Sequence, residues 1–254
     1  MSGFGAFGKI PDLGDFFRHN LSSAFVKTWD SWLQAVMVES KSALAGGWDD
    51  AYMMAPIWRF TLPAGLAGET GMTGILMASV DRVGRQYPLT LAAPHHGAGT
   101  AYMHFANRSV FESLEDLALQ MLDDTGRRDT LFASLETISL FDAPAQPAIG
   151  LPYVGAAPAE PALAAMAVEQ RHPNASIWST MMNNDHRLMA CHGLPQGQEA
   201  RALFDLKSSV WGGSHAPAAA HNWVDDLPPP LEDPIADILS ESSDLSDMAE
   251  PDGQ

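Results

Sequence analysis

The sequence has very few of the residues that build disulfide-rich or zinc-binding proteins, since Cys191 is the only cysteine among its 254 residues. One thiol excludes an intramolecular disulfide framework and any zinc site with several cysteine ligands. Runs of about 18 consecutive apolar residues, the length of a membrane-spanning helix, are also missing. The start of the chain, MSGFGAFGKIPDLGDFF, lacks the basic segment and the apolar run of a signal peptide. We therefore expect a soluble cytoplasmic protein with no membrane insertion.

Basic residues are scarce as well. Lys and Arg number 14 against 31 Asp and Glu, so the formal net charge is -17. Phosphate backbones and anionic membranes repel such a chain, and we do not expect nucleic acid as a partner. Hydrophobic residues make up 46% of the sequence and aromatic residues 9%. This apolar content is enough for a sizeable core and excludes global disorder.

The acidic charge is concentrated at the C-terminus. From Asp225 to the end there are ten acidic residues and no Lys or Arg, and the last basic residue of the chain is Lys207. Several prolines interrupt the same stretch, which therefore cannot bury enough apolar surface to offset its ordering entropy. The sequence predicts a folded domain over residues 1–212 and a disordered, Pro-rich acidic tail over residues 213–254.

Hydrophobic periodicity and turn signals give a coarse order of elements. The predicted strands are residues 4–9, 57–62, 73–80, 87–92, 175–182 and 187–192, and the predicted helices are residues 22–44, 108–125, 128–136, 162–170 and 198–206. A turn-rich loop is expected at 11–20, and a long connection at 142–160. Trp48 and Trp58 flank the first connection and are expected to be partly exposed. Strands with short links favour antiparallel pairing, and the helices around them indicate a layered α+β domain.

Two motifs concentrate charge in this charge-poor chain: GKIPDLGDF at residues 8–16 and SVDRVGRQYPL at residues 79–89. Arg82 and Arg85 in the second motif have guanidinium groups that bind carboxylates or phosphate in a fork geometry. The alternative is an internal role, in which Asp12 or Asp15 pairs with one of these arginines and locks the two loops together.

These motifs resemble those of the type VI secretion-associated TagF family, also called ImpM. Five collinear segments between about residues 3 and 207 carry the resemblance. The matching positions of the first motif are Gly8, Lys9, Ile10, Pro11, Gly14, Asp15 and Phe16, and those of the second are Ser79, Asp81, Gly84, Arg85, Tyr87, Pro88 and Leu89.

The resemblance implies a regulatory protein and not an enzyme. TagF-like proteins are described as cytoplasmic, post-translational negative regulators of type VI secretion. They act through the forkhead-associated-domain scaffold protein of the system, against or in parallel with a kinase–phosphatase pathway. The family domain is similar to longin-like or profilin-like α-β-α sandwiches built around a mainly antiparallel sheet. The acidic tail is not part of the resemblance.

The first functional hypothesis is therefore a binding protein without cofactors. Its partner-binding residues are predicted to be Lys9, Pro11, Asp15, Asp81, Arg82 and Arg85. Gly8, Gly14 and Gly84 are expected to allow tight turns that a Cβ would hinder. Together with Phe16, Tyr87 and Pro88, these glycines form the structural part of the motifs.

The second hypothesis is an anion-sensing module or a phosphotransfer enzyme in which Lys9, Arg82 and Arg85 cradle a phosphate. Other chemistry has weaker support. Cys191 and His192 are neighbours on a predicted strand, so their side chains point to opposite faces and make a poor nucleophile pair. His95, His96 and His104 lie in a segment with no Cys, Asp or Glu to complete a site, and we predict no metal there.

Overall fold

The computed structural model describes residues 3–96, 99–123, 126–141, 159–182 and 185–212, in which runs of strands are followed by runs of helices. The strands are β1 (Gly5–Gly8), β2 (Phe17–His19), β3 (Trp58–Leu62), β4 (Gly71–Met77), β5 (Leu89–His95), β6 (Ser176–Met182) and β7 (Asp185–Cys191). The helices are α1 (Ser23–Leu44), α2 (Trp48–Met53), α3 (Thr100–Ala106), α4 (Arg108–Gln120), α5 (Arg128–Leu135), α6 (Ala159–Arg171), α7 (Gly197–Ala202) and α8 (Ser209–Gly212). The predicted tail and residues 142–158 of the predicted connection lie outside the described residues.

The seven strands form one sheet in the order β2-β1-β5-β4-β3-β6-β7. Each of these pairings is antiparallel, which confirms the pairing that the short links predicted. β1 lies beside β5, with Phe7 opposite Thr90. This pairing brings the two charged motifs close together, because β1 leads into the first motif and β5 follows the second.

Helices cover both faces of the sheet and give the predicted α-β-α layers. On one face, α1, α2 and α7 pack on a core that contains Trp29, Trp58 and Trp178. On the other face, α4 packs on β4 and β5 and α5 packs on β1, and their Leu114 and Leu131 lie in a second core. Alternation along the strands sends consecutive side chains to opposite faces, so the sheet contributes to both cores. The mixed helical and antiparallel architecture confirms the α+β class.

The helix α1 follows the sequence prediction closely. The backbone N–H of Phe25 donates to the Oγ of Ser22 over 3.2 Å, which caps the helix start. Phe25, Trp29 and Val36 lie on its buried face. The helix ends at Leu44, and a 3-10 turn over Ala45–Gly47 leads directly into α2. Gly46 and Gly47 lie in this turn.

The sequence prediction missed the shortest elements. β2 has three residues and lies in the stretch predicted as a loop, while α2 and α3 have six and seven residues and lie in predicted connections. Such segments are too short to show a helical or strand period. The predicted partial exposure of Trp48 and Trp58 is wrong, since each is 2% exposed. Their indole N–H groups donate to the Gln86 side chain and to the Leu203 carbonyl, which allows burial.

Candidate partner-binding site

Asp81 is the centre of the site formed by the two charged motifs. It lies in the turn between β4 and β5, and its side chain is fully buried. Its Oδ2 accepts hydrogen bonds from Lys9 Nζ at 3.0 Å and from Arg85 Nε at 2.6 Å. Its Oδ1 accepts from the backbone N–H groups of Val83, at 3.1 Å, and Arg85, at 2.9 Å. One carboxylate therefore holds the end of β1 and the whole turn together.

The pKa of Asp81 reflects these contacts. Burial alone raises the pKa of a carboxyl, because it disfavours the charged form. Here the opposing hydrogen bonds from Arg85, Lys9 and the Val83 amide prevail and hold the pKa of Asp81 well below its ordinary value. The carboxylate stays ionised and has its acceptor positions occupied, so it is a poor general base.

The two loops are also joined through main-chain carbonyls. The Arg82 guanidinium donates to the Asp12 carbonyl, and Arg85 Nη2 donates to the Gly14 carbonyl over 2.6 Å. The backbone N–H of Arg82 donates to the Leu13 carbonyl over 2.9 Å. The predicted internal role is thus present, but the predicted carboxylate partners are wrong.

Asp12 and Asp15 have other roles. The Oδ1 of Asp12 accepts from Arg127 at 3.2 Å, and the Oδ1 of Asp15 accepts from the backbone N–H of Phe16 at 2.8 Å. The Asp12 and Asp15 carboxylates therefore accept from Arg127 and from the Phe16 amide, and not from Arg82 or Arg85. Sequence spacing alone does not show that main-chain carbonyls, and not the carboxylates of Asp12 and Asp15, accept hydrogen bonds from the two guanidinium groups.

Aromatic side chains cover the buried ion pair. The Lys9 ammonium lies 4.7 Å from the centre of the Phe16 ring, in a cation–π arrangement. Phe16 meets Tyr87 edge to face at 4.7 Å between ring centres. The Tyr87 hydroxyl donates to Asp30 Oδ1 on α1 over 2.6 Å, which fixes the ring. Phe16 therefore shields the ion pair with one side and remains 48% exposed.

Of the three motif glycines, two are required by backbone geometry. Gly8 has φ of +131°, and a Cβ built there would lie 2.1 Å from the Pro88 carbonyl oxygen. Gly84 has φ of +82°, a conformation that residues with a Cβ rarely adopt. The expectation for Gly14 is wrong, because its φ is not positive and a Cβ there would meet no atom within 4 Å.

Exposure divides the predicted partner-binding residues into two groups. Lys9 and Asp81 are buried, and Pro11 is half-buried, so these residues position the loops. Asp15, Arg82 and Arg85 are exposed. These exposed residues, with Phe16 and Val83, form what we call the motif surface.

Val83 was not among the predicted residues, although its side chain is 71% exposed. The signal that identifies it in the sequence is a β-branched apolar residue between Arg82 and Gly84 in a turn. Bordering residues on α1 and α2, such as Val38 and Asp49, belong to neither motif, and only the tertiary structure brings them there.

The sequence and structure of the chain match known proteins over the same region. The family model described as "TagF N-terminal domain, Type VI secretion system-associated" matches residues 5–138, which include both motifs. The chain belongs to this family. The predicted family resemblance is thus confirmed, and the domain is a type VI secretion-associated one.

A solved structure supports the same assignment. PA0076 from Pseudomonas aeruginosa PAO1 is 28% identical to the TagF domain described here, with a TM-score of 0.66. The similarity covers 79% of this chain and 93% of that one. The sequence has no significant match among curated proteins. Within the described ranges, no helix combines the length and apolarity needed to cross a membrane.

The remaining candidate groups of the TagF domain have structural contacts. Cys191 is buried, and its pKa is raised to about 12 by desolvation and by the charge of Glu199. His104 Nδ1 and Nε2 lie 3.1 Å and 2.8 Å from the hydroxyls of Thr61 and Ser179. His95 Nε2 lies 3.1 Å from the Leu62 carbonyl oxygen. These two histidines contact different groups and do not share a ligand site.

Proposed function

We propose that this TagF domain is a non-enzymatic, cytoplasmic negative regulator of type VI secretion. It binds the forkhead-associated-domain scaffold protein of the system with the motif surface and thereby blocks assembly. This action opposes or parallels the kinase–phosphatase pathway that the family resemblance implies.

The observation that carries the proposal is the exposure of apolar side chains on two rigidly joined loops. Val83 is 71% and Phe16 48% exposed, and Arg85 lies two positions after Val83 in the same turn. Aromatic and Arg side chains are enriched where protein interfaces gain most of their binding energy. Because the Asp81 ion pair fixes these loops in the free protein, binding costs little conformational entropy.

The same contacts weigh against the anion-sensing and phosphotransfer alternative. Lys9 is buried and donates to Asp81, and Arg85 donates to the same carboxylate, so both side chains already have internal partners. The guanidinium of Arg82 donates to a main-chain carbonyl. A phosphate would have to replace these internal partners in a protein whose net charge of -17 repels anions.

Calorimetry of the full chain with the scaffold encoded by the same secretion cluster tests the proposal. We expect micromolar or tighter binding by the wild type and a loss of tenfold or more for Val83→Glu, which places a charge among the apolar contacts. Leu119→Glu is the matched control, since Leu119 is 50% exposed on α4, which packs on the other face of the sheet.

Two results would overturn the proposal. The first is an absence of binding by the wild-type chain. The second is unchanged secretion in cells that overproduce the wild-type chain and contain the bound complex, since a regulator that blocks assembly has to lower secretion. If Val83→Glu and Leu119→Glu bind equally well, the motif surface is not the contact.

A further inference from the structure

A groove lies beside the motif surface, between the last turns of α1 and the turn that contains Asp81. It has a volume of about 480 Å³. One wall carries Met37, Val38 and Lys41 of α1, and the other carries Gly84, Arg85 and Gln86. In the sequence, Lys41 lies 43 positions before Gly84, so no motif contains both walls.

Hydrogen bonds hold the groove open in its present shape. The Gln86 side chain accepts from Trp48 Nε1 at 2.6 Å and donates to Asp49 Oδ1 at 3.0 Å. Trp48 is buried at the base, where it contacts Tyr52 at 5.2 Å between ring centres. Gly84 has no side chain, and a Cβ there would meet no atom within 4 Å. The groove is thus formed before any partner binds, which lowers the entropy cost of binding.

The lining combines apolar surface with positive charge. Val38 is 71% exposed, although it lies on a helix whose other face is buried in the core. Lys41 forms no side-chain hydrogen bond or ion pair with any residue in the part of the chain that the structure describes. The lining also contains one carboxylate, Asp49, so its two cations, Lys41 and Arg85, outnumber its anions. In a chain with 31 acidic and 14 basic residues, such a surface is unusual.

We propose that this groove receives a segment of the scaffold protein that carries carboxylate groups next to apolar side chains. Lys41 and Arg85 face the carboxylates, and Val38 packs against the apolar side chains. Complementary charge selects this chemistry, since an acidic segment is repelled by most of the domain and attracted here. This inference rests on the proposed function and extends its binding surface from the motif turn to α1.

Charge and apolar variants on α1 test the inference with the full chain and the scaffold. We expect Val38→Glu to weaken binding tenfold or more, because it places a negative charge in the apolar part of the contact. Lys41→Glu is expected to weaken binding by about fivefold at low salt and to reduce the salt dependence, as a charge at an interface rim does.

Matched controls separate the groove from general effects. Lys27→Glu makes the same charge change on an exposed position of the same helix, about 21 Å away along its axis. Leu119→Glu introduces a charge at an exposed apolar position on the other face of the sheet. Both controls are expected to bind as the wild type does, and circular dichroism checks that every variant folds.

The outcomes distinguish this inference from the proposed function. If the wild type binds and Val38→Glu and Lys41→Glu bind equally well, the groove is not the contact, and the proposed function still stands. An absence of wild-type binding overturns both. If Lys41→Glu and Lys27→Glu lose the same affinity for the scaffold, the inference about the groove is also wrong. The loss would then reflect net charge and not a local contact.

Discussion

Lys9 and Asp81 are 72 positions apart in the sequence and form a buried ion pair, with Nζ 3.0 Å from Oδ2. The pair joins the end of β1 to the turn after β4. Lys9 and Asp81 are 5% and 2% exposed, so neither of these motif residues is available to a partner in the free protein. The buried pair does not itself form a contact surface, but it holds the exposed side chains of Phe16, Val83 and Arg85 in place.

The ion pair predicts an order of stability among its variants. Asp81→Ala leaves the buried Lys9 ammonium without a counter-ion, and such an uncompensated buried charge is strongly destabilising. Lys9→Met leaves Asp81 with its donors from Val83 and Arg85. Arg85→Ala removes a side chain that is 59% exposed. We expect urea midpoints at pH 7 to fall most for Asp81→Ala, less for Lys9→Met and least for Arg85→Ala. A larger loss in Arg85→Ala than in Asp81→Ala would contradict the arrangement.

The motif glycines give a matched pair of substitutions. Gly8→Ala forces a Cβ against the Pro88 carbonyl at a φ of +131°, and we expect it to lower the free energy of unfolding by about 2 kcal/mol or more. Gly14→Ala meets open space at an ordinary φ, so it should be neutral or stabilising by up to about 1 kcal/mol. Chemical denaturation of both variants makes the comparison. Equal losses would show that the two glycines have the same backbone role.

Burial of His104 predicts that the domain loses stability in mild acid. Desolvation, aided by the charge of Arg59, lowers the pKa of His104 to about 3. In the unfolded chain His104 titrates near pH 6.5, so the unfolded state binds an additional proton between about pH 6.5 and pH 3. The stabilising contribution is fully present above about pH 6.5 and is lost as the pH falls, by about 1.4 kcal/mol per pH unit.

Urea denaturation at pH 7 and pH 5 measures this effect. We expect the wild type to lose about 2 kcal/mol through His104 between these conditions. His104→Gln keeps a hydrogen-bonding side chain without a titrating group, so its loss should be smaller by about that amount. His95, whose pKa burial also lowers, contributes with the same sign in both proteins. Equal pH dependence in the two proteins would mean that His104 is protonated in the fold.

Cys191 is expected to be an inert thiol in the folded protein. The thiolate is the reactive form, and burial raises the pKa of Cys191 to about 12. Labelling with a thiol reagent at pH 8 should be at least about 100-fold slower for the native chain than for the chain in urea. Rapid native labelling would show that β7 opens locally or that the thiol is activated.

Local patterns were sufficient to predict much of the fold. Spacing among neighbouring residues predicted the helix at 22–44 and the strands at 175–182 and 187–192, and the structure confirms them as α1, β6 and β7. Short elements such as α2 escaped prediction because six residues do not establish a helical period.

The sequence by itself determined the α+β class, the two motifs and the family, because each depends on the order and spacing of residues along the chain. The tertiary structure decided what the motif residues do. Strand order places β1 beside β5, and this brings Lys9 to Asp81 and the Gly14 carbonyl to Arg85. It also brings Val38 of α1 next to the same turn. Burial and the choice between a carboxylate and a carbonyl acceptor depend on distances in space, which residue spacing does not contain.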